Sequence, residues 1–398
     1  MDEIWDLTAQ ITSTGLIVVE LRTVLMVFKP LIMVILIFFV GINSVSASTI
    51  YVADDYSTIY VPDDYSTIQE AVNNAAFGDT VIVRDGIYQE HVYIEKRFLT
   101  VKSENGPTNC VVRGGPYVRG AGYVFKLSNL GIKLSGFTIT GGGIMVASNN
   151  NSILNNNVIS NGEYGICFFS SANNTVMNNN VSKNSYGIYL YSYYHNIIAC
   201  GNNIIGNNIS DNYDGVLADS SCNNTISNNN VWNNYNGIFM DCSSGNTVVN
   251  NNFTSNGYYP VTSHNGYGIC FYSSSNNTIY FNNFINNAED VYSSESTNIW
   301  SSTSKIAYTY QGRNYENCIG NYWDDYNGTD DNSDGIGDTP HIIDSDTDPY
   351  PLINPQVQIG HLKVFPLCLV VGAAVAITSA ALAIGIFRTR RKQTAPSK

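Results

Sequence analysis

Apolar and polar residues alternate with a period of two over most of the chain, in short runs separated by Gly, Asn and Ser. From Gly143 one pattern recurs: a Gly, alternating apolar residues, a polar turn with Asn-Asn-Thr or a similar sequence, then an Asn triplet and a β-branched residue. This regularity predicts a repeating architecture with two inserted loops. The glycines are spaced by 22 residues, apart from intervals of 28 and 31, at Gly143, Gly165, Gly187, Gly215, Gly237 and Gly268.

The pattern predicts an all-β solenoid with coils of about 22 residues, because period-two alternation without helical segments is typical of short strands. Strands of successive coils then stack in parallel at roughly 4.8 Å, and each coil buries its inner face only against its neighbours. If the residue after each Gly points inward, two internal stacks result. They are Ile144, Ile166, Ile188, Val216, Ile238 and Ile269, and Val146, Phe168, Leu190, Ala218, Met240 and Phe271.

Asparagines also recur in each coil, mostly as triplets. Their amide groups both donate and accept, so they can hydrogen-bond from coil to coil at bends where backbone groups lack partners. We therefore expect Asn ladders at residues 155–157, 178–180, 228–230, 250–252 and 282–283.

Residues 48–78 are predicted to form an N-terminal strand and a capping helix, followed by the parallel β-helix at 79–298. The peptide IYVADDYST at 50–58 is repeated as IYVPDDYST at 59–67, and the second copy runs into a helical pattern. Ser66 is the predicted N-cap, with Gln69 at the third following position. The helix would cover the open end of the stacked sheets, and its apolar face consists of Ile68, Ala71, Val72 and Ala75.

Both ends of the chain carry patterns typical of membrane targeting. Residues 1–47 are predicted to be a signal-peptide region. Within it, translation is predicted to start at Met26 and cleavage to follow Ala47, and an uncleaved anchor is the alternative. The uncharged run 364–387 is long enough for a transmembrane helix, and the basic tail 388–398 would then be cytoplasmic. These patterns predict a single-pass protein of the cytoplasmic membrane with an extracytoplasmic ectodomain.

The net charge of −13 and the pI near 4.7 argue against nucleic acid as a partner, because phosphate binding needs clustered Lys and Arg. The eight cysteines include no Cys-x-x-Cys pair, so neither a zinc ribbon nor a thioredoxin motif is present. Cys222 and Cys242 lie in turns of adjacent coils and form a candidate disulfide.

The C-terminal region 299–355 contains an acidic loop with the pattern DxNxDG. Oxygen-bearing side chains at alternate positions, with a Gly, are similar to the first part of an EF-hand calcium loop. The twelfth position is His341 instead of Glu, so we expect weak Ca²⁺ binding at best, and a plain acidic turn is the alternative. The predicted ligands are Asp330, Asn332, Asp334, Ile336 and Asp338, and Asp344, Asp346 and Asp348 follow closely enough to complete a shell.

Asp219 and Asp241 occupy the same place in consecutive coils, four residues after Gly215 and Gly237. Two carboxylates one coil apart can raise one pKa for acid–base catalysis or can bind Ca²⁺. They are therefore the candidate catalytic residues, and a solvated pair without function is the alternative.

Aromatic residues occupy neighbouring outward positions of the predicted coils. Sugar rings or another protein can stack on such a strip, whereas exposure by Tyr-rich composition alone is the alternative. The candidate binding residues are Phe169, Tyr191 and Tyr272 in one column and Tyr189 and Phe239 in the adjacent one.

Three stretches together resemble a known family: VPDDYSTIQEAVNNAAFGDTVIVRDGIYQEHV, the NNT-x-x-NNN coils, and GNYWDDYNGTDDNSDGIGDTPHIIDSDTDPYPL. They are similar to the NosD-type family of periplasmic β-helix proteins and to related archaeal-type surface proteins, over residues 50–352. The resemblance implies a right-handed parallel β-helix of the carbohydrate-binding and sugar-hydrolase kind. NosD proteins are implicated in copper delivery, but the His residues of this sequence are scattered, and no Met-rich or His-rich cluster is present.

The leading hypothesis is a membrane-anchored cell-surface protein that is structural, adhesive or glycan-binding, with cell-envelope glycans or surface proteins as partners. The alternative is a polysaccharide-degrading glycosidase or lyase that uses outer-face carboxylates. A lyase is disfavoured on the face of Asp219 and Asp241, because residues 201–301 contain no Lys or Arg to neutralise a uronate. Periplasmic copper handling is the third hypothesis.

Overall fold

The computed structural model describes residues 8–11, 17–20, 56–114, 122–192, 199–257, 266–344 and 346–355. The chain divides into two compact units, residues 1–55 and 56–398. In the first unit, the described residues form two antiparallel strands, Thr8–Ile11 and Ile17–Glu20. The rest of the predicted signal region lies outside the described residues.

The second unit is an all-β solenoid of parallel strands, in which most coils contribute one strand to each of three columns. The first column is a ten-stranded sheet of Thr58–Val61, Thr80–Val83, Thr100–Ser103, Lys133–Ser135, Ser152–Leu154, Thr175–Met177, Asn203–Ile205, Thr225–Ser227, Thr247–Val249 and Thr278–Tyr280.

The second and third columns form one sheet, because the long strands Asn157–Phe169 and Asn180–Tyr191 run through both. The other strands of the second column are Gly86–Gln89, Cys110–Arg113, Thr138–Thr140, Asn208–Ser210, Asn230–Trp232, Asn252–Thr254, Asn283–Ile285 and Tyr322–Trp323. Those of the third column are Val92–Ile94, Phe125–Leu127, Ile144–Val146, Asp214–Asp219, Asn236–Asp241, Ile269–Tyr272 and Val291–Ser294.

Two antiparallel hairpins lie outside the three columns, one before and one after the strand Tyr322–Trp323 in the chain. The first pairs Ile306–Tyr310 with Arg313–Asn317, and the second pairs His341–Ile343 with Asp346–Asp348.

The predicted inward stacks are confirmed. All twelve residues are at most 1% exposed and belong to one core that extends through the solenoid. Strand register aligns both stacks from coil to coil, as in the pairs Ile188 with Val216 and Leu190 with Ala218. Burial of these side chains only between successive coils makes every coil depend on its neighbours.

Buried Asn side chains form three ladders at the corners of the coil. In each ladder, the backbone N–H of one Asn donates to the Oδ1 of the Asn in the next coil, and in most rungs the Nδ2 donates to the same atom, as from Asn229 to Asn251 at 2.9 Å. The Nδ2 also donates to a main-chain carbonyl of the preceding coil, here that of Ile204. The ladders are Asn151, Asn174, Asn202, Asn224, Asn246, Asn277 and Asn298; Asn156, Asn179, Asn207, Asn229, Asn251, Asn282 and Asn321; and Asn161, Asn184, Asn212, Asn234, Asn256 and Asn287.

Each position of an Asn triplet has its own role. The first residue, such as Asn228, has a positive φ of 57°, a conformation that Asn adopts more readily than most residues. The middle residue, Asn229, is the buried ladder member, and the third, Asn230, is exposed. The predicted Asn positions are thus confirmed for the second ladder, in which the middle residue of each triplet is the buried member, whereas the sequence did not predict the first and third ladders.

A helix spans Ile68–Asn74, and its buried residues Ile68, Ala71 and Val72 belong to the predicted apolar face. Its N-cap is Thr67 instead of the predicted Ser66, because the Thr67 side chain accepts the N–H of Glu70 at 3.1 Å. The helix contacts the first strands of the solenoid. Its role as a cap over the open end stays a prediction.

The disulfide differs from the candidate pair. Cys200 and Cys222 are bonded, with Cα atoms 4.8 Å apart in adjacent coils, and Cys242 is a free, exposed thiol. The strand register explains the difference, since Cys222 pairs with Cys200 on one side and with Ser244 on the other.

The predicted localisation requires a correction. In the part of the chain that the structure describes, no helix has the length and apolar character that a membrane crossing requires. A membrane-spanning helix needs about 20 residues, whereas the helix at Ile68–Asn74 has 7. The prediction of a single-pass membrane protein is therefore withdrawn, and the segment 364–387 on which it rested lies outside the described residues.

Replacing Asn229 by Asp should lower the free energy of unfolding by about 3 kcal/mol, because a buried carboxylate would face the oxygens of Ile204 and Asn251. Urea unfolding measures this loss. The matched control is Asn230→Asp at the exposed neighbour, where we expect a change within about 0.5 kcal/mol. Equal losses in both variants would contradict a stabilising role for the buried ladder.

Candidate functional site

The outer face of the third column carries the predicted site residues, and we call them the outer strip: Phe169, Tyr189, Tyr191, Asp219, Phe239, Asp241 and Tyr272. Register places Phe169, Tyr191, Asp219, Asp241 and Tyr272 at one position of successive coils. Tyr189 and Phe239 lie at a neighbouring position, with Leu217 between them. The structure thus brings the candidate catalytic and binding residues onto one surface.

The aromatic rings at the N-terminal end of the outer strip pack against each other. Tyr189 lies 5.2 Å from Tyr191 between ring centroids, and Tyr191 lies 5.7 Å from Phe169. Tyr164 extends the stack at 5.4 Å from Tyr189, with an interplanar angle of 9°. At the C-terminal end, Tyr272 is 48% exposed. Phe169, Tyr189 and Tyr191 are half-buried, whereas Tyr272 is exposed and accessible to a ligand.

Asp219 and Asp241 are direct register partners in adjacent coils, as predicted, and both are half-buried. The Tyr189 hydroxyl donates to Asp219 Oδ2 at 3.1 Å, and the Ser220 hydroxyl donates to Oδ1 at 2.9 Å. Burial and the Asp219 carboxylate raise the pKa of Tyr189, so its phenol stays protonated at neutral pH. Asp219 therefore has hydroxyl donors on both oxygens, and no cation in the described residues pairs with it or with Asp241.

Sequence reasoning missed a third carboxyl group of this face, Asp214, which is 2% exposed. Register aligns it with Tyr186 and Asn236, and the Asn236 Nδ2 donates to its Oδ1 at 2.7 Å. Burial raises the pKa of Asp214 to about 7, and the bond from Asn236 opposes that rise. The sequence repeat does point to Asp214, because Tyr164 and Tyr186 occupy one repeat position and the next coil has an acid there.

The acidic loop predicted to bind Ca²⁺ forms a turn in which carboxylates accept the loop's own N–H groups. Asp330 accepts from the backbone of Asp334 and Gly335, and Asp338 accepts from that of Asp331. Asn332 accepts the Asp334 N–H, and Ile336, 5% exposed, belongs to a small separate core. Asp344, Asp346 and Asp348 accept N–H groups elsewhere and do not extend this loop. Calcium binding here stays a prediction.

A different acidic group lies in a cavity of about 400 Å³ at the C-terminal end of the solenoid. Carboxylate oxygens of Asp290, Asp324 and Asp325 lie within 4.8 Å of one another; within the described ranges, no other group of three His, Cys, Asp or Glu comes as close. Sequence reasoning missed this group because its members have no periodic relation. Asp290 belongs to a coil, whereas Asp324 and Asp325 follow Tyr322–Trp323, the last strand of the second column.

Aromatic and titratable side chains complete the cavity. His341 stacks on Trp323 with ring centroids 4.8 Å apart, and its Nε2 lies 3.6 Å from Asp325. Burial lowers the pKa of His341, and Asp325 opposes that effect, so the imidazole is largely neutral at neutral pH. Burial raises the pKa of Asp290 to about 7. A carboxyl with a raised pKa beside two exposed carboxylates is an arrangement that can perform acid–base chemistry.

Residues 72–328, more than half of the chain, match the family described as periplasmic copper-binding protein (NosD). The chain belongs to the NosD family. The resemblance found in the sequence is thereby confirmed. No curated protein matches this NosD chain.

Solved β-helix proteins are similar to this NosD chain in fold. An alginate lyase from Paenibacillus sp. str. FPU-7 is 17% identical with a TM-score of 0.45, covering 61% of this chain and 98% of the lyase. Pectate lyase Pel9A is 16% identical with a TM-score of 0.46, covering 60% of this chain and 78% of that enzyme. The A-module of the Azotobacter vinelandii mannuronan C-5 epimerase AlgE6 is 14% identical with a TM-score of 0.38, covering 58% of this chain and 91% of the module. No activity follows from similarity at this level.

Among the described residues of this NosD protein, no group of three His, Cys, Asp or Glu offers a set of copper ligands. Copper prefers imidazole and sulfur ligands, whereas the one cluster of the described part consists of three carboxylates. Burial raises the pKa of Cys167 and of Cys270 to about 12, so both are thiols at neutral pH. Register places them at one position but four coils apart, with Tyr189, Leu217 and Phe239 between them.

The raised pKa of Asp214 predicts a specific pH dependence of stability. Between the unfolded-state value near 3.8 and the folded-state value of about 7, the folded protein binds more protons, so its stability falls as pH rises through this window. Asp214→Asn should remove up to about 4 kcal/mol of that dependence. Urea unfolding at pH 4 to 8 measures it, with the exposed Asp331→Asn as control. A wild-type profile parallel to that of Asp214→Asn would contradict the assignment.

Proposed function

We propose that this NosD protein binds a neutral or cationic polysaccharide along the outer strip. The observation that carries the proposal is the alignment of Asp219, Asp241 and the exposed ring of Tyr272 at one position of three successive coils. Aromatic rings stack on the apolar faces of sugars, and carboxylates accept hydrogen bonds from sugar hydroxyls. Asp219, Asp241 and Tyr272 lie in line on successive coils, so a chain-like ligand that runs along the column can contact all three.

The charge of the strip favours this ligand class over acidic polysaccharides. Asp219 and Asp241 are half-buried on this face, and the sequence contains no Lys or Arg from residue 201 to 301. A uronate chain would therefore meet carboxylates without a neutralising cation, which is unfavourable at close range. The lyase form of the enzyme hypothesis loses support on this face for the same reason.

Tyr272→Ala should weaken binding to a soluble neutral polysaccharide about fivefold, because a stacked ring contributes roughly 1 kcal/mol. Affinity electrophoresis in gels that contain the polysaccharide measures the change. The matched control is Trp232→Ala, since Trp232 is 44% exposed on the outer face of the second column. Equal weakening in both variants, or tighter binding of polygalacturonate than of neutral chains, would contradict the proposal.

Hydrolysis of a polysaccharide in the C-terminal cavity is the second candidate function. It is supported by Asp290, whose pKa of about 7 suits a general acid, and by Asp324 and Asp325 as candidate nucleophiles. The separation of these groups is nearer the roughly 5 Å of retaining glycosidases than the roughly 6.5–9.5 Å of inverting ones. His341, which lines the cavity, would contact the sugar.

Asp290→Asn should lower the rate of reducing-end release from a cleaved polysaccharide by about 10²–10⁴-fold, because the general acid is lost. The amide oxygen can still accept the Asn287 Nδ2, so the fold should be retained. Asp331→Asn, in the adjacent loop, is the control and should keep the wild-type rate. If the wild-type protein releases no reducing ends, or if Asp290→Asn cleaves normally, binding alone remains as the proposed function.

Calcium at Asp330, Asn332, Asp334, Ile336 and Asp338 remains a prediction, and copper binding remains a property of the family description, with no fitting site in the described part of the chain. Cell-envelope glycans stay the proposed partners. Nothing in either site requires a membrane.

A further inference from the structure

The Asn ladders have a direction, and this creates a problem at the last coil. Each rung donates its N–H, and usually its Nδ2, to the Asn of the following coil, so the final Asn of a ladder has donors but no further Asn to accept them. A buried donor without an acceptor costs about 1–3 kcal/mol. The C-terminal end of the solenoid therefore needs acceptors that require no further coil.

The first ladder ends at Asn298, whose backbone N–H donates to Asp346 Oδ2 at 3.0 Å. The same oxygen accepts the indole Nε1–H of Trp300 at 3.1 Å. A carboxylate is suited to this position because it accepts several hydrogen bonds and donates none.

The second ladder ends at Asn321, whose backbone N–H donates to Asp348 Oδ2 at 2.7 Å. That oxygen also accepts the Asn321 Nδ2 at 3.3 Å and the Trp323 Nε1–H at 3.0 Å, while Oδ1 accepts the Tyr350 N–H at 2.9 Å. Asp348 is fully buried. Every one of these neighbours is a donor.

The third carboxylate of the same segment, Asp344, accepts the backbone N–H of Ser293 at 3.0 Å, at the end of the last strand of the third column. Ile343, 4% exposed, belongs to the main core. Aspartates at alternate positions 344, 346 and 348 thus reach three consecutive points around the end of the last coil.

We propose that residues 341–344 and 346–348 are a strap that latches onto the end of the solenoid, with Asp344, Asp346 and Asp348 as the latch. The strap also forms one wall of the acidic cavity, since His341 stacks on Trp323 and Asp344 lines the cavity. The latch residues are positioning residues: they hold His341 against Asp325 and Trp323 without belonging to the carboxylate group. This inference is independent of the proposed function.

The two indole N–H groups allow a direct test on the folded wild-type protein. Trp300 and Trp323 donate to the latch, whereas Trp232 is exposed and has no part in it. In ¹H–¹⁵N spectra assigned with Trp300→Phe and Trp323→Phe, both latch indoles should exchange with D₂O at least about tenfold more slowly than that of Trp232. Exchange of either latch indole as fast as that of Trp232 would overturn the proposal without any latch variant.

Isosteric variants then separate the latch from general stability. Asp346→Asn should shift the indole N–H resonance of Trp300 alone and speed its exchange about tenfold. Asp348→Asn should have the same effects on Trp323. Backbone amides at 278–300 and 319–324 should lose protection, while those at 80–114 and 122–135 keep it. Asp331→Asn, in the neighbouring acidic loop, is the matched control and should change neither. Uniform loss of amide protection along the solenoid, or unchanged indole exchange rates in both variants, would contradict the latch.

Discussion

The structure depends on one interaction, the hydrogen bond from a buried Asn of one coil to the amide oxygen of the next. A parallel strand pair satisfies backbone groups within the columns but not at the corners between them, where the chain bends out of the sheet. The side-chain amide is suited to these corners because it accepts on one side and donates on the other. Repetition of this bond at three corners allows 22-residue coils to stack with polar groups inside.

The Asn hydrogen bonds all run in one direction, so the last Asn of each ladder needs a different acceptor. In this protein the acceptors are carboxylates. The interior rungs are neutral amides, whereas the groups at the C-terminal limit are Asp346 and Asp348, with Asp290 accepting from Asn287 in the third ladder. Termination of the ladders therefore concentrates acidic groups where the solenoid stops. The C-terminal cavity arises at the same place, since Asp290 both ends a ladder and faces Asp324 and Asp325.

Because the acidic cavity arises where the Asn ladders end, its carboxyl groups have a structural role as well as a candidate catalytic one. Asp290 has a structural partner in Asn287, so its burial has an explanation apart from catalysis. Tyr272 has no comparable structural role, because its ring is exposed beside a pair of aligned carboxylates on an otherwise regular face. For this reason glycan binding on the outer strip stands ahead of hydrolysis in the cavity. The NosD assignment is compatible with both and adds no copper site in the described residues.

The sequence by itself determined the repeat, the inward stacks, the second Asn ladder and the columns of the outer strip, because each follows from a position that recurs in every coil. A residue such as Ile188 is buried for the same reason as Ile166 and Ile238, and one register fixes them all. Only the tertiary structure decided the partner of Cys222, the environment of Asp214 and the meeting of Asp290 with Asp324 and Asp325. These depend on which non-repeating segments return to the solenoid and on how deeply a side chain is buried, and neither quantity is encoded in the period. The same holds for Asp344, Asp346 and Asp348, whose spacing is compatible with a calcium shell until the donors they face are known.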